Sequence, residues 1–382
     1  MPAFIPHCGK SLVRDFCPNA PIRHYNRIVP MRYGLPRIQR PIVIIGAGGI
    51  VRDAHLPAYR MAGFAVHGIC DLDPEKARAL ADEFAIAHVY RNSTEAFHDA
   101  PANAVFDLAT PPDAILPILD EIPAQATVLI QKPMGRNLEE ARAIRHTCRR
   151  KNLIAAVNFQ LRFAPAMQEA RRLIGEGAIG IVHDMEVRVN VFMPWHLWPF
   201  LEGLERMEIP LHSIHYLDLI RSFLGEPRAV WARTTKHPDV PRLASARSHI
   251  ILDYAEFLRA AVTTNHGHKF GLRHQESYVK WEGTKGAIKA RLGLLMDYPR
   301  GVADEFEYCR LEDGQPPEWK PVEIEGSWYP DAFIGTMASL MRFAEGSDAT
   351  LPTGVEDACR TMELVEAAYR SNDSGGTPIV HD

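Results

Sequence analysis

The stretch that most constrains the fold is residues 41–157, where short apolar runs alternate with helical patterns. Residues 41–45, 64–70, 105–109, 128–131 and 154–157 read as strands. Residues 51–61, the run opened by Asp73-Pro74-Glu75, 114–121 and 138–150 read as helices between them. Parallel strands must be joined by a crossover, usually a helix, so the alternation predicts a parallel sheet with right-handed connections. The strands are apolar almost throughout, as burial on both faces requires. Asp73 can cap its helix, Pro74 suits the first turn, and Glu75 meets the positive end of the helix dipole.

Beyond residue 158 the pattern changes. Val182, Asp184, Glu186, Arg188 and Asn190 alternate with His183, Met185, Val187, Val189 and Val191, which describes a half-exposed strand. Similar runs follow at 229–235, 248–252, 260–264, 277–281 and 287–290, without regular helices between most of them. They predict an open, mainly antiparallel sheet with one face covered. Helices are expected at 210–224, 331–344 and 355–371. A chain of 382 residues is too long for one typical core. The expected division is a basic extension at 1–40, a nucleotide-binding domain at 41–158, and a substrate-binding and oligomerisation domain at 159–382.

The first β–α connection carries Gly46-Ala47-Gly48-Gly49-Ile50-Val51. Gly46 permits a tight turn, and Gly48 lets the backbone approach a pyrophosphate at a helix N-terminus. Asp71 closes the second strand, where its carboxylate can accept hydrogen bonds from ribose hydroxyls and repel a 2′-phosphate. Leu72 follows it rather than an arginine, so NAD is expected over NADP. Position 51 departs from the fingerprint, being Val where Gly or Ala is usual. This is the strand–turn–helix of a Rossmann domain. A second feature is Lys132-Pro133, at the end of another apolar strand. A lysine is costly to bury there without a task.

Composition excludes several partners. A net charge of −4 gives no reason to expect nucleic acid or an anionic membrane. No apolar run is long enough to span a bilayer. Cys8, Cys17, Cys70, Cys148, Cys309 and Cys359 show neither CxxC pairing nor zinc-ligand spacing, as for reduced thiols in a cytoplasmic protein. No metal is expected. The first 40 residues are basic and lack the apolar core of a secretory signal. They read either as a disordered arm or as an arm on a partner subunit, and Met31 is an alternative start.

The glycine loop, Asp71, Ala109-Thr110-Pro111-Pro112, Gln131-Lys132-Pro133 and His215-Tyr216-Leu217-Asp218 together resemble the Gfo/Idh/MocA family, the glucose–fructose oxidoreductase and inositol dehydrogenase relatives. Arg162-Phe163-Ala164-Pro165, Glu282-Gly283-Thr284-Lys285-Gly286 and Glu366-Ala367-Ala368-Tyr369-Arg370-Ser371 extend the resemblance over roughly residues 40 to 375. It implies an α/β Rossmann domain plus an α+β domain with an open sheet. The sheet's free face would pair chains into a homodimer or homotetramer, and a sugar or cyclitol would bind between the domains.

By that resemblance Lys132 lies beside the reacting hydroxyl and nicotinamide, and His215 acts as acid or base. Gly46, Gly48, Gly49, Ile50, Asp71, Thr110, Pro111, Gln131 and Lys132 would hold the cofactor. The chain departs from the family twice: Gln131 replaces the usual Glu, and Leu211, one turn before His215, replaces the usual Asp. His212 shares a helical face with His215 but brings no fixed negative charge, and Glu208 lies two turns before His215. Arg162, Trp195, His196 and His212 are candidate substrate contacts, with Trp198 beside them. His266, His268, Arg273 and His274 read as a solvated loop cluster able to meet an anionic substituent. The expected activity is oxidation of a sugar-like hydroxyl with NAD. The alternatives are a redox-neutral NAD-dependent glycosidase and a nucleotide-binding regulator without catalysis.

Overall fold

The structure, a computed structural model, describes residues 34–380. The basic extension therefore lies outside the described residues up to residue 33, as do Cys8, Cys17 and Met31. Six parallel strands form the first sheet: β1 Ile42–Ile45, β2 Val66–Cys70, β3 His88–Val89, β4 Val105–Leu108, β5 Thr127–Ile130 and β6 Ile154–Val157. Their order, β3-β2-β1-β4-β5-β6, is doubly wound and reverses between β1 and β4. The connecting helices are α1 Leu56–Ala62, α2 Pro74–Phe84, α3 Ser93–Asp99, α4 Pro112–Glu121 and α5 Leu138–Arg150. A π turn, Val51–His55, leads into α1.

Local chemistry sets these boundaries. Asp73, Asn92 and Asn137 each accept a hydrogen bond from a backbone N–H in the first turn of α2, α3 and α5, at 3.1, 2.8 and 3.0 Å. Each such cap contributes about 1 kcal/mol. Gly63 ends α1 in the left-handed conformation.

Eight strands form the second sheet: β7 Val182–Asn190, β8 Ala229–Thr235, β9 Arg247–Ala255, β10 Leu258–Asn265, β11 Glu276–Gly283, β12 Gly286–Arg291, β13 Glu305–Arg310 and β14 Trp319–Val322. Their order is β14-β13-β12-β11-β7-β10-β9-β8, antiparallel except for β7 against β10. One face is covered by α6 Pro165–Gly175 and α7 Ile214–Leu224, with Phe223 against Trp281 at 5.1 Å. On the other face, Arg188–Glu276, Lys280–Glu186 and Arg259–Asp184 pair across strands. The helix expected at 210–224 begins instead with a π turn, Ile209–Ser213.

The last two helices join the parts. α8 Asp331–Ala344 packs Phe333, Met337, Leu340 and Met341 on Ile42 and Ile44 of the first sheet. α9 Val355–Ser374 lies against α5 and β8. A single core runs from Val43, Phe106 and Val128 of the first sheet to Val187, Val262 and Trp281 of the second. Full burial of each such side chain contributes about 1.5–3 kcal/mol. Cys70, Cys148, Cys309 and Cys359 are buried and free. Burial pushes the Cys70 and Cys148 thiols up to about 12, which leaves them unreactive. Among the described residues no helix is long and apolar enough to cross a membrane.

Candidate active site

The glycine loop leaves the carboxyl end of β1, where the strand order reverses. Gly46 adopts φ +112°, and a Cβ there would stand 2.5 Å from the Ala109 carbonyl oxygen. Only glycine fits. Gly48 and Gly49 are exposed, and nothing lies within 4 Å of a Cβ built on Gly48. The backbone ahead of the Val51–His55 turn is thus open to an anionic group. Half-buried Ile50 completes the loop, and Asp71 is locked beside it. One Asp71 carboxylate oxygen accepts from Ala47 N at 2.6 Å and the other from Asp73 N at 2.9 Å. Thr110 follows β4, and its Oγ1 is buried without a partner; Pro111 beside it is exposed. A buried hydroxyl left unpaired costs about 1–3 kcal/mol, which a bound polar ligand would recover. The open glycines, fixed carboxylate and orphaned hydroxyl fit a dinucleotide.

Lys132 follows β5, and its peptide bond to Pro133 is cis. Its Nζ donates to the Leu211 carbonyl oxygen at 2.9 Å, so the side chain bridges the first sheet and the turn ahead of α7. Burial pulls its pKa down to about 8. Gln131 is buried, and its side chain is engaged within the protein. Its Oε1 accepts from Lys132 N at 2.8 Å, and its Nε2 lies 3.1 Å from His55 Nε2.

Beneath that glutamine is a polar network the sequence reading missed. His55 Nδ1 lies 2.6 Å from Asp107 Oδ2, Tyr59 donates its hydroxyl to the same oxygen at 2.7 Å, and Asn158 Nδ2 lies 3.4 Å from His55 Nε2. With a carboxylate at Nδ1 and amide donors at Nε2, the imidazole donates from the first and accepts at the second. Asp107 was the available signal, a carboxylate inside the apolar strand β4.

His215 opens α7 and lies edge-on to Trp328 at 5.5 Å, with Nδ1 unpartnered. His212 occupies the preceding π turn, edge-on to Trp195 at 5.7 Å. Burial, then Lys132 and His212, hold the pKa of His215 well below its usual value. Burial, His266 and Lys132 do the same to His212. Both imidazoles are therefore free to accept a proton at neutral pH. Lys132, His212, His215 and Trp195 meet at this junction. His196 is exposed on the Trp195–Leu197 turn, and Trp198 packs on Trp195 and Tyr298.

Two expectations are corrected. Arg162 is no free substrate contact: its guanidinium is buried and already paired with Asp218 at 2.5 Å, Asp357 at 2.5 Å and the Pro352 carbonyl oxygen at 2.8 Å. Burial opposes its charge, and the two carboxylates more than offset that. His266 is not in a solvated cluster. It is fully buried with its ring 4.6 Å from that of His212, while Arg273 and His274 are exposed. β10 carries His266 inward before the chain turns out, so histidines close in sequence end in different surroundings.

A model of an oxidoreductase family with an NAD-binding Rossmann fold matches residues 40–159, and one of the GFO/IDH/MocA C-terminal domain matches residues 167–289. D-apiose dehydrogenase of Rhizobium rhizogenes is 25% identical over 329 residues, covering 82% of this chain and 90% of its own length. An uncharacterised oxidoreductase of Synechocystis is 30% identical over 327 residues, covering 80% and 84%. An Agrobacterium radiobacter oxidoreductase solved with NAD+, L-tartaric acid and magnesium superposes with a TM-score of 0.73 at 23% identity, covering 89% and 98%.

Proposed function

The chain belongs to the Gfo/Idh/MocA oxidoreductase family, and from that membership we propose that it oxidises a hydroxyl of a sugar or cyclitol with NAD. The observation that carries the reading is the bridge from Lys132 to Leu211 O, which joins the nucleotide half of the molecule to His212 and His215. The relatives named for sugar dehydrogenation, D-apiose dehydrogenase among them, support the substrate class.

Gly46, Gly48, Gly49, Ile50, Asp71, Thr110 and Pro111 would hold the cofactor, which supplies a hydride acceptor when bound. Asp71 and exposed Leu72 favour NAD, because a 2′-phosphate would meet a carboxylate followed in sequence by a leucine rather than an arginine. Lys132 keeps one N–H on Leu211 O and directs its charge at the substrate oxygen. That lowers the hydroxyl's pKa and stabilises negative charge developing on the oxygen. His215, unprotonated at neutral pH, takes the hydroxyl proton. Trp195 offers an aromatic face to a sugar ring beside His212. The open face of the second sheet pairs chains into a homodimer or homotetramer.

The test is reduction of NAD, read as absorbance of the reduced form, over a panel of aldoses and cyclitols that includes D-apiose, with NADP in parallel. We expect turnover with at least one sugar and at least tenfold higher kcat/KM with NAD. Lys132→Ala should lose on the order of 10²–10⁴-fold in kcat while still binding NAD. An inert panel, or a fully active Lys132→Ala, overturns the reading.

A further inference from the structure

Leu211 removes the carboxylate that would support the site's histidines from one turn away, and its side chain packs on the apolar cluster of Leu201, Met207 and Leu243. A carboxylate is nevertheless present behind the site. Glu208 is fully buried. Its oxygens accept from Ser213 Oγ at 2.9 and 3.1 Å and from Thr264 Oγ1 at 2.9 Å, and Ser248 Oγ lies 3.2 Å from Ser213 Oγ. An ionised carboxylate in such a place costs several kcal/mol unless it is paired. The nearest cation-forming group is His266, with Nε2 3.5 Å from Glu208 Oε1, an ion-pair distance rather than a closed hydrogen bond. Both ring nitrogens of His266 lack a hydrogen-bond partner. Its ring lies against that of His212, and Trp195 meets both rings edge-on.

We propose that Glu208 and His266 are positioning residues for the oxidation proposed above, a buried carboxylate–imidazole pair that supports His212 as a second proton-handling group beside His215. The carboxylate absent at position 211 is thereby supplied from the start of the 209–213 turn, through the end of β10. When an imidazole at the site takes up the hydroxyl proton, the electron pair stays on the substrate oxygen. The new positive charge on His212 is then opposed by Lys132, and Glu208 offsets it through His266, whose own charge would otherwise add to the opposition. The titratable groups facing this arrangement are Lys132, His215 and His266 around His212, and Tyr216 and Tyr369 around Glu208. The proposal rests on the proposed oxidation, but its structural content does not.

The test is Glu208→Gln, which keeps an acceptor for Ser213 and Thr264 and removes the charge. With D-apiose and saturating NAD, kcat should fall roughly 10- to 100-fold, part of what general acid–base catalysis supplies, with KM within about threefold. The acidic limb of kcat/KM should move to lower pH, since an imidazole without the nearby carboxylate binds a proton less readily. A merely structural role would lower the folded fraction without moving that limb. His266→Asn should reproduce the loss, and the double variant should be no worse than either alone. Full activity with an unmoved limb in both variants overturns the proposal. Titration of the His212 imidazole by ¹⁵N NMR, in wild type and Glu208→Gln, reads the coupling without turnover. An unchanged midpoint there sinks the proposal, whereas an inert sugar panel sinks only the oxidation.

Discussion

Lys132 does two jobs that pull its charge in opposite directions. Burial favours the neutral amine and brings its pKa to about 8, while the proposed role requires the ammonium. The group whose folded pKa is depressed is Lys132, so its charge is present below about pH 8 and lost above it. His215 and His212 are held well below their usual value, so they stay unprotonated from near pH 6.5 upward. The expected kcat/KM for oxidation is therefore flat between about pH 6.5 and 8 and declines above. Lys132→Arg keeps its charge, so that decline should move to higher pH. A rate that instead rises through pH 8 would make the neutral lysine amine the base. Lys132 and His215 could be singled out in sequence because one closes an apolar strand and the other falls in a motif resembling the family's. Glu208 and His266 were not grouped, because their proximity depends on how β10 lies beside the turn ahead of α7, and no spacing in the chain encodes that.

At the level of elements, both π turns carry a histidine of the site, His55 in one and His212 in the other. A π turn adds a residue and shifts the phase of the side chains that follow, a device common at functional sites. The helical period at 51–61 and 210–224 was readable, but the extra residue was not, since periodicity over so short a run tolerates a one-residue slip. Five strands of the first sheet were legible from their continuous apolar character, but β3 was not, being two exposed residues, His88 and Val89. β13 and β14 were not, and Pro321 marks β14 as an edge strand that pairs, among the described strands, with β13 alone. α6 was missed although Met167, Ala170, Leu173 and Ile174 repeat at helical spacing behind Pro165. The correction at Arg162 yields a prediction for α7 and α9, which its guanidinium ties together through Asp218 and Asp357. Arg162→Met should destabilise the protein by about 3–5 kcal/mol by leaving buried carboxylates unpaired. Thermal unfolding would register that loss, with KM for sugar unchanged in the protein that stays folded. A raised KM at full stability would return Arg162 to the substrate site.

Across the whole molecule, the two sheets play different parts. The first is sealed by helices on both faces, and its strand ends present the glycine loop, Asp71, Thr110 and Lys132 along one edge. The second gives one face to α6 and α7 and leaves the other open. That open face is not uniformly polar. Trp231 of β8 and Ile251 of β9 stand directly opposite each other in the ladder, 57% and 47% exposed. A cross-strand aromatic–aliphatic pair is stabilising on a sheet surface, yet leaving it in water forgoes most of the gain from burial. The cross-strand ion pairs on the same face contribute only about 0–1 kcal/mol each while solvated, so they cost little to rearrange against a second copy. If this face pairs chains, light scattering should return twice or four times the monomer mass. Trp231→Glu should then shift the protein toward monomer, because the new carboxylate would be desolvated in the interface. Its circular dichroism should stay unchanged, since Trp231 lies outside the core. A monomeric wild type, or an oligomer indifferent to Trp231→Glu and Ile251→Glu together, would place the interface elsewhere or remove it.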